Sequence, residues 1–154
     1  MEESGQERME HRTDEMAIRD LVHEYCARLD AGDFDGVAAL FARGAFRSPA
    51  GTNLVGADAV RTMYDAVLRY DDGTPRSKHV IGTVLVEIAP DRSTARARSH
   101  FVVMQQAPGR PLLPVLSGRY HDRLVRQDGA WWFEERMVRP DLEGDLGAHM
   151  ATRR

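Results

Sequence analysis

The spacing of hydrophobic residues changes part-way along the chain. From Ile18 through Leu21, Val22, Tyr25, Cys26 and Leu29 they recur every three or four residues, the repeat of a helix with one buried face. Thr13 or Asp14 is suited to cap its start, and Gly32 to end it. Asp33 then opens a short second helix with Phe34, Val37, Ala38, Leu40 and Phe41 apolar, stopped at Arg43-Gly44. Ala45–Arg47 and Asn53–Val55 flank the turn sequence Ser-Pro-Ala-Gly-Thr and read as a short hairpin. Gly56-Ala57-Asp58 opens a third helix with Val60, Met63, Tyr64, Val67 and Leu68 on one side, and Asp71 to Pro75 breaks it.

Beyond Pro75 the pattern is that of strands. Val80–Ile88, Thr94–Gln106, Val115–Arg126 and Ala130–Val138 are β-rich runs separated by Ala-Pro-Asp-Arg-Ser, Ala-Pro-Gly-Arg-Pro and Arg-Gln-Asp-Gly-Ala. Three helices followed by a four-stranded antiparallel meander predict an α+β fold, with the helices covering one face of a curved sheet. Residues 1–12 carry almost nothing to bury and are expected to form a flexible arm. Residues 13–150 are expected to form a single domain and 151–154 a tail. Leu142, Leu146 and Met150 recur at four-residue steps, which suits a short lid helix.

Composition narrows the classes. A chain of 154 residues that is 42% hydrophobic has material for one core. Its net charge of −3 and singly scattered arginines argue against nucleic-acid binding. The lone cysteine, Cys26, rules out an intrachain disulfide and reads as a small buried hydrophobe. No run approaches the roughly twenty apolar residues of a membrane helix, and the polar N-terminus is unlike a signal peptide, so a cytoplasmic protein is expected. The histidines combine with no other ligand at a metal-binding spacing, and there is neither a phosphate-binding Gly-rich loop nor a nucleophile elbow. Neither a metal nor another cofactor is expected.

The candidate chemistry lies in two segments about fifty residues apart. Asp30 ends the first helix and His79 opens the first long strand, where the two can form a carboxylate–imidazole pair. A carboxylate on one ring nitrogen fixes the tautomer and makes the other a positioned general base.

The order of elements and several motifs resemble the SnoaL-like family of the nuclear transport factor 2-like (NTF2-like) superfamily. The carriers are Ile18-Arg19-Asp20-Leu21 with Tyr25, Leu29-Asp30-Ala31-Gly32-Asp33-Phe34, His79-Val80-Ile81-Gly82, Gly118-Arg119-Tyr120-His121-Asp122 and Asp128-Gly129-Ala130-Trp131-Trp132-Phe133, and the resemblance spans roughly Asp14 to Met150. It implies a cone-shaped NTF2-like (cystatin-like) fold, three helices on a mostly antiparallel sheet of four to six strands. Asp30 and His79 fall where scytalone dehydratase and hexachlorocyclohexane dehydrochlorinase have their Asp and His. Arg136 matches an arginine of the dehydrochlorinase pattern that lies close to that pair. The second histidine of the dehydratase aligns here with Gln106 or a neighbour.

Around this trio, Tyr25, His100, Tyr120 and Asp122 are candidates to bind substrate. His100 stands where one side of its strand passes from Arg96 and Arg98 to Val102 and Met104, while Tyr120 and Asp122 share a face. Alternation places Arg136 with Trp132, Glu134 and Val138 on one face, where an inward-facing arginine could take Asp30 as its carboxylate and a solvated one could pair with Glu134 or Asp122. The function implied is a cofactor-independent lyase or isomerase, of dehydratase, cyclase or double-bond isomerase type, acting on a small hydrophobic, polyketide-like or aromatic molecule. The competing expectations are a non-catalytic ligand-binding module and an accessory subunit resembling the small subunit of ring-hydroxylating dioxygenases. The resemblance also implies a homodimer through the sheet face.

Overall fold

A computed structural model describes residues 4–151. Helix α1 (Gly5–Asp30) is followed by α2 (Phe34–Ala39), β1 (Ala45–Arg47), β2 (Asn53–Val55), α3 (Ala57–Met63) and a 3₁₀ turn (Tyr64–Ala66). Four long strands complete the chain: β3 (Ser77–Ile88), β4 (Thr94–Gln105), β5 (Leu113–Gln127) and β6 (Ala130–Glu143). The six strands form one sheet in the order β2-β1-β6-β5-β4-β3, antiparallel except where β1 runs parallel to β6. This is the α+β, mostly antiparallel architecture that the change of hydrophobic period predicts.

The helices cover the inner face of the sheet. Ile18, Val22, Tyr25, Cys26 and Leu29 from α1 meet Phe101 and Val103 from β4, Tyr120 and Leu124 from β5 and Phe133 from β6 in one buried cluster. Alternation along β4 is strict at its start: Ala95, Ala97, Ser99 and Phe101 are buried, while Arg96, Arg98 and His100 are exposed. The two-residue period thus separates a packed interior from a charged outer face. No helix among the described residues is long and apolar enough to cross a membrane.

Three features depart from the sequence expectations. The arm expected over 1–12 is helical from Gly5, because Ser4 and Glu7 form a reciprocal capping box and Arg92 pairs with Glu10 and Asp14; residues 1–3 lie outside the described part. Neither expected cap acts as one: Thr13 bonds back to the Met9 carbonyl, and buried Asp14 accepts from Arg92 Nε at 2.7 Å and Trp131 Nε1 at 3.0 Å. The expected lid helix at Leu142, Leu146 and Met150 does not form. Leu142 belongs to β6 opposite Ser117, and the following residues run as a strap whose Met150 bridges to Val67. Of the expected tail only Ala151 is described.

Candidate functional site

Asp30 occupies the last helical position of α1, before the turn through Gly32, whose φ is 76°. A carboxylate there meets the negative end of the helix dipole, so it needs donors. The start of β3 supplies three. Ser77 Oγ donates to Oδ1 at 3.1 Å, the His79 backbone N–H to Oδ2 at 2.8 Å, and His79 Nδ1 lies 2.6 Å from Oδ1. An ionised carboxylate only accepts, so Nδ1 is the donor of this contact, and in a neutral ring that tautomer leaves the lone pair on Nε2. The side chains of His79 and Asp30 are 5% and 9% exposed.

A second polar cluster lies deeper in the cone. The Arg136 guanidinium makes two parallel 2.8 Å hydrogen bonds to the Asp122 carboxylate, and both side chains are fully buried. It is stacked on Tyr25, Tyr120 and Phe133, 4.3, 4.0 and 4.5 Å from their ring centres. Burial works against the charge, yet Asp122 outweighs it and holds Arg136 more firmly protonated than an arginine in water. Its Nη1 has no hydrogen-bond partner among the described residues.

The expected parity of Arg136 is corrected by a β-bulge. Arg123 pairs with Glu135 and Leu124 with Phe133, so Glu134 is an extra residue, and the turn it inserts puts Trp131, Phe133 and Arg136 on the same inner face. The carboxylate that meets Arg136 is that of Asp122, directly opposite on β5, and not Asp30. Tyr25 also faces the interior; its hydroxyl lies 3.0 Å from that of Tyr64, and burial pushes it up to about 12. Tyr120 stacks on Phe101 at 4.4 Å, and burial likewise raises its hydroxyl. His100 is not part of either cluster. It is exposed on the outer face opposite Arg119, since its parity is that of Arg96 and Arg98.

Sequence reasoning missed Ser77, Gln105 and His149. Gln105, opposite Ser77 on β4, donates through Nε2 to the carbonyls of Pro75 and Ala148 at 2.9 and 3.0 Å. Ala148 and His149 belong to the strap, which also receives the Tyr70 hydroxyl on the Ala148 carbonyl and gives its His149 carbonyl to Leu68 N–H at 2.9 Å. His149 is 7% exposed, and burial, then the neighbouring His79, lower its pKa to about 4. No periodicity announces it, because a turn and a long-range backbone bridge place it. Five surface depressions of about 250 to 530 Å³ lie on the outer sheet face or along α1, and none of the five is lined by Asp30, His79 or Arg136.

A SnoaL-like domain model matches residues 10–137. The chain belongs to the SnoaL-like domain family. Among solved structures, this SnoaL-like domain is similar to a Mycobacterium tuberculosis protein of unknown function, with 29% identity, a TM-score of 0.72, and 86% of this chain and 74% of that one covered. An NTF2-like protein with a cystatin-like fold from Novosphingobium aromaticivorans is 21% identical over 92% of this chain and 90% of its own, with a TM-score of 0.73. A candidate scytalone dehydratase from the same organism is 21% identical over 94% and 96%, with a TM-score of 0.71. At these identities the last two establish the NTF2-like fold. No curated protein matches the domain.

Proposed function

We propose that this SnoaL-like domain is a cofactor-independent lyase or isomerase in which His79 Nε2 removes a proton from a small hydrophobic, aromatic or polyketide-like molecule. The observation that carries the reading is the 2.6 Å contact between His79 Nδ1 and Asp30, with the second carboxylate oxygen held by the backbone N–H of His79 itself. That arrangement fixes both the tautomer and the ring orientation, and it leaves the carboxylate beside the ring when the imidazolium forms. The buried cluster that holds Tyr25, Tyr64, Tyr120, Phe34 and Phe101 is rich in aromatic rings, a chemistry that suits a planar ligand. The structural likeness to a candidate scytalone dehydratase supports the same class. In this reading Arg136, anchored by Asp122, offers its free Nη1 to negative charge developing on the ligand, and Tyr25 and Tyr120 form the adjoining wall.

The test is turnover of a panel of small phenolic and polyketide-like substrates by the parent chain, Asp30→Asn and His79→Ala. Loss of activity in both variants at retained fold supports the base; full activity in both ends the reading. The dense interior favours one alternative, a ligand-binding or accessory role without chemistry, in which the panel binds but is not converted. Homodimerisation through the outer sheet face belongs to the same proposal, supported by Val80 and Leu85, which are 55% and 52% exposed. Light scattering at twice the 17.3 kDa chain mass is the expected result.

A further inference from the structure

His149 is, with His79, one of two histidines with buried side chains among the described residues, and its Nδ1 has no hydrogen-bond partner among them. A buried polar atom of this kind calls for an explanation, because such groups are nearly always paired. Its position is built with care. The Ala148 carbonyl just before it takes hydrogen bonds from Gln105 Nε2 and the Tyr70 hydroxyl, and its own carbonyl takes one from Leu68 N–H. Ala151 N–H closes on the Ala66 carbonyl at 2.8 Å. Gln105 stands opposite Ser77, which donates to Asp30, so the strap is pinned beside the Asp30–His79 pair.

We propose that His149 is a second imidazole of the Asp30–His79 site, carried in by the C-terminal strap, and that its Nδ1 binds the hydroxyl or carbonyl oxygen of the molecule His79 deprotonates. The inference rests on the base role of His79 and adds a residue that reads the ligand. Burial keeps this imidazole neutral at physiological pH, so it can donate or accept through Nδ1 according to its tautomer while His79 alone exchanges protons. The groups that face it are His79 from β3 and Asp30 from α1, with Tyr70 and Gln105 bonded to the adjoining backbone. Gln105 on β4 clamps the segment that brings His149.

The test is ring-nitrogen NMR on the full chain labelled at histidine, with 2-naphthol as the probe and naphthalene as its oxygen-free counterpart. Addition of 2-naphthol is expected to move the resonances of His149 Nδ1 and His79 Nε2 together, and naphthalene to leave His149 Nδ1 in place. His149→Ala should weaken 2-naphthol roughly fivefold to tenfold, the worth of one hydrogen bond, without weakening naphthalene. His149→Asn, whose amide reaches the place of Nδ1, should restore binding, while His149→Gln, which fills the space but reproduces Nε2, should not. A shift at His79 with none at His149, or equal rescue by Asn and Gln, overturns the role of His149 and leaves the base intact. Silence at both rings up to the solubility of 2-naphthol also overturns it, and the base then stands or falls on turnover by Asp30→Asn and His79→Ala.

Discussion

Replacing Asp122 by Asn would keep the shape of the side chain and remove its charge. Arg136 would remain fully buried, its stacking on Tyr25, Tyr120 and Phe133 unchanged, with an amide where it now has two 2.8 Å bonds to a carboxylate. The amide can accept one of those bonds and turns a donor toward the other. Breaking a buried pair from one side costs about 3–5 kcal/mol, because the surviving charge stays desolvated and uncompensated. Ring faces supply only about 0.5–2 kcal/mol to a cation and are present in both proteins, so they offset none of the difference. Against the 5–15 kcal/mol that holds an ordinary domain together, this is a large share. For a chain of this length it corresponds to a fall in Tm of roughly 6–20 °C. Removing both charges together, as in Asp122→Leu with Arg136→Met, should cost far less than either single change, since the desolvation of both ions disappears. Urea unfolding followed by the fluorescence of Trp131 and Trp132 measures each variant, provided the slope with denaturant stays constant. A loss below about 1 kcal/mol in Asp122→Asn, or a double variant as unstable as the singles, would refute the view that this pair is a closed electrostatic unit.

Other outcomes follow from the same structure. Asp30→Asn and His79→Ala are each expected to lower turnover about 10²- to 10⁴-fold with little change in circular dichroism, the range of a lost general base. Because His149 has a folded pKa of about 4 against 6.5 unfolded, its neutral form stabilises the fold fully above pH 6.5, and that contribution is lost as pH falls toward 4, roughly 3 kcal/mol in all. The parent chain should therefore lose stability between those values, and His149→Gln should show a flatter acid limb by thermal melting. Gly118→Ala should destabilise by about 1–3 kcal/mol, since a methyl there would come within 2.3 Å of the Arg139 carbonyl and 2.9 Å of the Phe101 ring. Ser4→Ala, which removes the cap of α1, should cost about 1 kcal/mol or less, most of it as fraying detectable by amide exchange in the first turn.

How far the sequence carries depends on the range of the interaction. The stripe from Ile18 to Leu29 and the short hairpin were legible because they answer to local period and turn chemistry. So was the order of the four long strands. Asp30 and His79 could be singled out as an element end and an element start. The start of α1 was also open to inspection, since Ser4 and Glu7 have the spacing of a capping box. Arg136 was misplaced because one inserted residue at Glu134 reverses strand parity, and nothing local distinguishes a bulge from continued alternation. Leu142, Leu146 and Met150 mimic a helical repeat, but pairing with β5 extends β6 through Glu143 and uses the first of them in a strand. His149 could not be read at all, because its place depends on contacts with Leu68, Tyr70 and Gln105 made far away along the chain.

Strand β3 is the open margin of the sheet, twelve residues long with β4 on one side only. Such a margin invites another chain to add itself as a further strand. Helix α1 answers at two points: Asp30 takes the N–H of His79, and Arg19 Nη1 donates to the Val84 carbonyl at 2.6 Å, just past the bulge between Ile81 and Val84. The carboxylate that orients the imidazole is therefore also a guard against self-association. A variant that shortens Asp30 would leave a strand N–H unclaimed at the sheet margin, and its aggregation in the cell would lower apparent activity by a route separate from chemistry. The orientation of the imidazole and the protection of this margin thus depend on a single side chain.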